Sequence, residues 1–573
     1  METRNCQNCK SDFVIDQDDF GFYAKMKVPL PTFCPECRLQ RRLAWRNERS
    51  LHPRECGLCK KKIVSIYNND LNKPVYCDVC WWSDNWDASI YAKDYDFTRP
   101  FLEQFFELYN AVPAPNLYTF SSTMVNSPYC NMANNMKNCF FVYDGTFAED
   151  VSYSSGVFHS KNSMDITMAR KAELCYETVT TINCYKTIFS QNCEDCVDVA
   201  CSHGLRGCNN CFGCVNLHKK SYYIFNVPYT KDEYEKKIKS LALDSYKNVV
   251  AMRKKTQEFW KMFPKRFMFG VQNVNITGDY MEHSKNVRNC FGVANVEDSK
   301  FCSFVSNGPT RTVYDFTHFG DNIELVYECL QCGDGLSQCK FGWGNWSNTN
   351  NAQYCITVPG SSYIFGCVGM KKKKYCILNK EYTKEEYEAL IPKIIEHMNT
   401  VPYLGKEGRI YKYGEFFPVE LSPFGYNETT AQEYFSLTEE TAKQKGYNWR
   451  NSQERNYQIT KQPEELPDSI IAVDDSILSE VIACEHHGKC DEGCMTAFKI
   501  MPEDLKFYRR MNLPLPRQCS NCRRFKRVKQ RNPLKLWHRK CMNNGCTNEF
   551  ETSYSPDRPE IVYCESCYQQ EVV

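Results

Sequence analysis

Four Cys-x-x-Cys pairs crowd into the first eighty residues: Cys6/Cys9, Cys34/Cys37, Cys56/Cys59 and Cys77/Cys80. Two sulfurs on one tight turn supply half of a tetrahedral shell, and a second turn supplies the rest. The spacing therefore predicts two all-thiolate zinc sites. A disulfide framework is the other common use of dense thiols, but it belongs to short secreted domains. This chain has 573 residues and starts Met-Glu-Thr-Arg-Asn-Cys, without the charged-then-apolar signature of a secretory leader. No run of 18 apolar residues appears, so a soluble, cytoplasmic protein with no membrane partner is expected.

The C-terminus repeats the plan. A gapless shift of 485 residues carries Cys9 to Cys494, Phe13 to Phe498, Ile15 to Ile500, Phe22-Tyr23 to Phe507-Tyr508 and Pro29-Leu30-Pro31 to Pro514-Leu515-Pro516. The same shift carries Cys34 to Cys519, Cys37 to Cys522 and Cys56 to Cys541; after two extra residues, Cys59, Cys77 and Cys80 match Cys546, Cys564 and Cys567. Repeated spacing with repeated core residues marks a repeated module. Cys6 falls on Asp491, so its neighbour Cys490 is expected as the ligand, with Cys484, His486 and His487 as alternatives. Sixteen ligands would hold four structural zinc ions.

A basic stretch follows the second knuckle at each end. Arg38, Arg42 and Arg46 recur as Arg523, Arg527 and Arg531, and residues 517 to 540 carry ten Lys or Arg with no Asp or Glu. A four-residue step aligns them on one helical face, where guanidinium groups can grip phosphates. The overall charge is only +2, so attraction to a polyanion has to come from such a patch. Pairing of these arginines with carboxylates inside the protein is the competing expectation. The acidic linker around Glu464, Glu465, Asp468, Asp474 and Asp475 is one candidate partner.

Between residues 120 and 380 lie eighteen cysteines in short polar-aromatic phrases such as Asn138-Cys139, Asn192-Cys193, Gly207-Cys208 and Asn289-Cys290. Equivalent points recur at multiples of three: Cys139, Val151, Ser163, Cys175, Cys184 and Cys193. Small side chains at fixed steps suit a parallel β-solenoid with inward ladders and Asn or Gly at the corners. This middle is itself duplicated at a 153-residue shift, with Phe212-Gly213-Cys214-Val215 recurring as Phe365-Gly366-Cys367-Val368. Thr230 with Glu233, and Thr383 with Glu386, are capping boxes for helices expected over 231–262 and 384–399, which close each half. The pairs Cys193/Cys196 with Cys208/Cys211, and Cys329/Cys332, have ribbon-like spacing, but spacings of three arise in such a repeat without metal.

The expected fold is mainly β: a duplicated parallel β-solenoid flanked by treble-clef and zinc-ribbon modules at both termini, with capping helices. The division is 1–55 treble-clef-like module, 56–97 zinc ribbon, 98–118 connecting helix, 119–262 and 263–400 solenoid halves, 401–480 linker, 481–540 treble-clef-like module and 541–573 zinc ribbon. Thr98-Arg99-Pro100 opens the connecting helix, which buries Phe101, Phe105, Phe106 and Leu108. Trp81, Trp82 and Trp86 are placed to dock the first ribbon.

The phrases Cys34-Pro-Glu-Cys-Arg-Leu-Gln-Arg-Arg-Leu (34 to 43), Trp45-Arg-Asn-Glu-Arg (45 to 49) and Tyr223-Ile-Phe-Asn with Tyr229-Thr-Lys resemble a family of long, cysteine-rich zinc-knuckle proteins. That family is predicted from environmental bacterial genomes and large viruses. The resemblance implies no assigned activity.

The reading of function is a zinc-stabilised protein binding RNA or a ribonucleoprotein through Arg38, Arg42, Arg46, Arg523, Arg527 and Arg531. The alternative is a scaffold presenting a solenoid face to a protein partner. A third is a carbohydrate-active solenoid enzyme using Asp315, Asp321 or Glu324, with His159, His203, His283 or His318 available. No catalytic motif supports the third: the thiolate quartets leave no open metal position, and there is no Walker loop, nucleophile elbow or His-Glu-x-x-His.

Overall fold

The computed structural model describes all residues except 171, 178, 182–184, 306–307, 318–319, 321–322, 324–325, 331–332, 334, 346–347, 452–456, 491–492 and 573. His318, Asp321, Glu324, Cys184, Cys332 and Asp491 therefore lie outside the described residues.

The first module begins with a hairpin, Glu2–Asn5 against Asp12–Ile15, that carries the first knuckle in its turn. Helix Gln17–Met26 follows, with Asp16 and Asp19 closing a capping box and Lys27 in the left-handed region at its end. Helix Pro35–Leu43 starts on Cys34, whose extended backbone turns the second knuckle into the helix N-cap. Shifting by 485 residues lands on helices Pro502–Met511 and Ser520–Val528, with Asn512 in the same left-handed cap. Hairpin His52–Glu55 with Lys62–Ser65 is likewise repeated by Trp537–Lys540 with Glu549–Thr552.

The middle is a repeat of parallel strands. Tyr185 pairs with Val197, Val197 with Asn209 and Asn209 with Ser221, a coil of twelve residues. Within one coil, Tyr185, Ile188, Gln191 and Glu194 each bridge to the residue twelve positions on, so pairing falls on all four three-residue segments. The register explains the sequence pattern. Every third residue from Asn126 to Asp165 has positive φ, the conformation that Asn, Asp and Gly tolerate best. The residue after each such corner points inward and is buried, from Cys130 to Ile166 without exception.

Inward Ser and Cys satisfy backbone groups that the sheet leaves over. The Ser154 hydroxyl accepts from the Ile166 amide at 3.1 Å, that of Ser202 from Cys214 at 3.0 Å, and the Cys290 thiol from Cys302 at 3.1 Å. The thiols in turn donate to the carbonyl two residues before them, as Cys193 does to Gln191 at 3.3 Å. In the second half the step drifts: Lys300 bridges Tyr314, then Tyr314 bridges Tyr327 and Tyr327 bridges Lys340, before strands Asn350–Gln353, Ser362–Phe365 and Lys374–Ile377 return to twelve.

Both expected capping boxes form, at Thr230/Glu233 and Thr383/Glu386. The second helix, Lys384–Thr400, runs as expected, but the first is broken into Lys231–Ser240 and Tyr246–Lys261. The restart is enforced by Ser245, which caps the second piece and binds Asp468 of the linker. Helix Phe101–Ala111 buries Phe101, Phe105, Phe106 and Leu108 against the second half and the linker. Among the described residues, no helix is long and apolar enough to cross a membrane.

Candidate metal centres and the arginine interface

Four cysteine quartets come together: Cys6, Cys9, Cys34, Cys37; Cys56, Cys59, Cys77, Cys80; Cys484, Cys494, Cys519, Cys522; and Cys541, Cys546, Cys564, Cys567. Thiolates about 2.3 Å from a tetrahedral zinc lie about 3.8 Å apart. Cys9 and Cys34 sulfurs are 3.7 Å apart, Cys59 and Cys77 3.8 Å, Cys484 and Cys522 3.8 Å, and Cys546 and Cys564 3.8 Å. The donor sets fit four structural zinc ions. Each first ligand also accepts a backbone N–H from the third: Cys34 to Cys6 at 3.3 Å, Cys77 to Cys56 at 3.2 Å, Cys519 to Cys484 at 3.3 Å and Cys564 to Cys541 at 3.3 Å. At Cys56, burial raises the thiol pKa, but this and neighbouring N–H bonds outweigh burial and hold it at about 6.

That shared bond, with the four-sulfur grouping, favours Cys484 as the third site's first ligand. The sequence expectation was Cys490; the structure puts Cys484 in Cys6's role. The reason is an extended knuckle. Cys6 N–H closes its turn on Ser11 and Cys56 on Lys61, whereas Cys484 closes on Thr496. Cys490 sits on the enlarged loop, 3.8 Å from the Cys522 sulfur, in a second grouping with His486. His487 joins neither.

The six arginines assigned to phosphates are all buried, at most 7% exposed. Arg38 donates to Asp315 at 2.8 Å and Arg42 to the same carboxylate at 3.2 Å and to Thr317 at 3.1 Å. The C-terminal copy repeats the arrangement: Arg523 to Asp165 at 2.8 Å, Arg527 to Asp165 at 3.0 Å and to Thr167 at 3.2 Å. Arg46 binds Glu48 at 2.5 Å, and Arg531 donates to the Tyr434 hydroxyl at 3.0 Å. The electrostatics repeat too. Burial depresses Arg38 and Arg523, but their aspartates outweigh it and hold both guanidiniums well above the ordinary value. Burial wins at Arg42 and Arg527, which are lowered. Side chains this buried do not reach a phosphate in this structure, which corrects the contact role of the six: Arg38, Arg42, Arg523 and Arg527 tie the zinc helices to the repeat, Arg46 pairs with Glu48 and, at 3.5 Å, Asp144, and Arg531 is held by Tyr434.

The carboxylates that complete this interface escaped the sequence reading. Arg41 binds Glu328 at 2.6 Å and Glu415 at 3.0 Å, and Arg524 binds Glu433 at 2.7 Å. Burial pushes Glu328 up to about 7 against Arg41 and Arg42, and Glu433 up to about 7 against Arg49, Arg531 and Arg527. Asp315, a candidate groove acid, is instead an arginine anchor. The acidic stretch from Glu464 to Asp475 meets the C-terminal module at its edge, where Asp475 pairs with Arg509 at 2.8 Å and the Leu466 and Pro467 carbonyls accept from Arg517. Trp81 is buried beneath Lys371, which also faces Trp82 and Trp86, so this cluster docks the ribbon. Cys193, Cys196, Cys208 and Cys211 lie in one buried stack with Val199 and Leu205, and form no metal-sized group. His203 is buried against Trp260 and held well below its ordinary pKa by burial, and His159 stacks on Phe147.

No family model matches the chain, and no curated protein matches it. One solved structure, described as a "putative acetyltransferase" from Desulfovibrio desulfuricans G20, is similar at a TM-score of 0.09 and 10% identity, over 47% of this chain and 74% of that chain. A likeness at that score bears on neither fold nor function.

Proposed function

We propose that the protein is a zinc-stabilised scaffold in which treble-clef-like and ribbon modules at both ends clamp a closed, four-sided β-solenoid that offers its uncovered face to a protein partner. The carrying observation is the duplicated arginine–aspartate interface, which directs the zinc helices inward. The uncovered face is a regular polar lattice: Asn126 meets Asn138 and Asn138 meets Asp150, each at 3.0 Å, beside the charge ladder Lys137, Glu149, Lys161. Such one-dimensional surfaces serve extended protein contacts.

The test is affinity capture of the tagged full chain from its host in 0.5 M salt, followed by light scattering on the recovered complex. A stoichiometric protein partner or a defined oligomer supports the scaffold. A catch dominated by RNA and lost with rising salt refutes it. In that case the contacts would run through exposed lysines such as Lys526 and Lys540, not through the arginines.

A further inference from the structure

The two ends repeat each other so closely that a difference between them is informative. Arg38 lies 5.2 Å over Phe301 and Arg523 lies 5.2 Å over Tyr153, which equates Phe301 with Tyr153. The preceding residues, Lys300 and Ser152, then hold the same place. Each bridges the next coil, Lys300 to Tyr314 and Ser152 to Met164, just ahead of the anchoring aspartates Asp315 and Asp165.

At the N-terminal end the Lys300 ammonium fills a niche under helix Gln17–Met26. It meets Asp16 at 2.6 Å and Asp19 at 2.9 Å, and lies 5.8 Å from the Tyr314 ring. At the C-terminal end Asp19 is kept as Asp504, but Asp16 has become Met501 and the lysine has become a serine too short to reach. The corresponding space is a cavity of about 150 Å³ walled by Phe140, Phe141, Tyr153, Phe498 and Tyr508, with Asp504 in its lining beside Arg523, and with Lys499, an exposed residue, also in that lining. A cavity near that volume admits a benzene-sized group.

Asp504 is 3% exposed. It accepts from the Tyr153 hydroxyl at 2.7 Å and the Met501 amide at 3.0 Å, while nearby Arg523 is committed to Asp165. Among the described residues, no cationic side chain pairs with Asp504. A buried carboxylate ringed by aromatic faces attracts an organic cation by direct charge and by the ring quadrupoles.

We propose that this cavity binds an alkylammonium group, from a small amine or a lysyl side chain, in the place that Lys300 occupies at the other end. Isothermal titration of the zinc-loaded full chain with n-butylammonium and with N-acetyl-lysine amide tests the two sources, with n-butanol as the uncharged control. The expected result is saturable binding of at least one ammonium probe with Kd at or below about 1 mM. Tighter binding of the lysine derivative would assign a lysyl side chain, and tighter binding of butylammonium a free amine.

Ser152→Lys should weaken binding at least about tenfold by supplying the cation from within. Its unchanged zinc content and a melting temperature no lower than that of the parent would show the loss to be occupancy, not misfolding. Asp504→Asn should weaken binding similarly. Absence of saturable heat with both ammonium probes, equal binding of butanol, or unaltered binding in Ser152→Lys would overturn the proposal.

Discussion

Asp315→Asn is the sharpest perturbation of the interface that holds the N-terminal zinc module. Asp315 is fully buried and serves two guanidiniums, Arg38 at 2.8 Å and Arg42 at 3.2 Å, both themselves sealed from water. Removing one partner of a buried ion pair costs about 3–5 kcal/mol, because the remaining charge stays buried without its counter-ion. Here a single neutralisation strands two charges. Partial relief comes from the Phe33 carbonyl at 2.8 Å, the Thr317 hydroxyl at 3.1 Å and Glu328 at 3.9 Å from Arg42. Asparagine also keeps one acceptor oxygen. These offsets place the cost near the middle of the range, about 4 kcal/mol, which is about a thousandfold in the equilibrium for detaching the module.

The assay is zinc transfer to a chromogenic chelator, at chelator levels where the rate follows the opening equilibrium. One of the four ions, that of the Cys6 quartet, should leave about a thousandfold faster, and 1 M salt should change this little because the pair is shielded from solvent. Asp165→Asn should do the same to the Cys484 quartet, and the two effects should add, since the sites share no partner. A change of less than about tenfold, or equal acceleration of all four ions, would refute the reasoning and return the arginines to solvent.

Three further outcomes follow from the geometry. Cys484→Ser should lower the zinc content by one ion per chain, whereas Cys490→Ser should leave it at four, measured by elemental analysis of dialysed protein. Burial raises Asp504 to about 6, opposed by the Met501 amide, Tyr153 and Arg523 and aided by Asp165. Its contribution to stability is therefore complete below the unfolded value and lost as pH rises through 6. Urea melts of Asp504→Asn should show an advantage of about 3 kcal/mol at pH 7 and about half that at pH 5; a gap independent of pH would contradict the shift. Thr383→Ala removes the hydroxyl that caps Glu386 N–H at 3.2 Å and should cost about 1 kcal/mol by the same melts, with helix Lys384–Thr400 fraying first in hydrogen exchange.

What the sequence revealed and what it hid divide by distance along the chain. Three of the four knuckle pairs that open the quartets, the helices that start on Cys34 and Cys519 and the Asn corners are set by neighbours within a dozen residues and were readable; the left-handed corners at Tyr129, Met132, Phe141 and Phe147 were not. Cys139, Val151, Ser163 and Cys175, each twelve residues after the last, form one inward ladder climbing successive coils, whereas Cys184 and Cys193 follow at steps of nine. Coil length was not readable, because every third position looks alike whichever of the four segments it lies on. The arginine face was recognised, but its counter-charge was not: Asp315 is 277 residues from Arg38. A charge census confined to nearby sequence finds ten cations unopposed and turns to phosphate for balance. The Cys490 assignment failed for a related reason, since a gapless alignment assumes a short knuckle and the loop from Cys484 to Thr496 is an insertion.

The placement of the four modules explains why the chain ends are worth so many buried charges. The second module's strand Val75–Tyr76 pairs in parallel with Ala114–Pro115, which leads into the first half of the repeat, while the first module's Arg38 and Arg42 reach Asp315 in the second half. At the other terminus, strand Val562–Tyr563 pairs with Lys265–Arg266, which leads into the second half, while Arg523 and Arg527 reach back to Asp165 in the first. Each zinc pair therefore spans the junction, one module on the entrance to a half and one on the flank of the other half. Exchanging the two ends reproduces the same contacts, the self-complementary pattern of a two-fold dimer written into a single chain. A repeat stabilised only by neighbour contacts would open from either end. Here opening at one end has to break an ion-pair cluster contributed by the opposite half, so the two halves gain cooperativity that coil stacking alone does not supply.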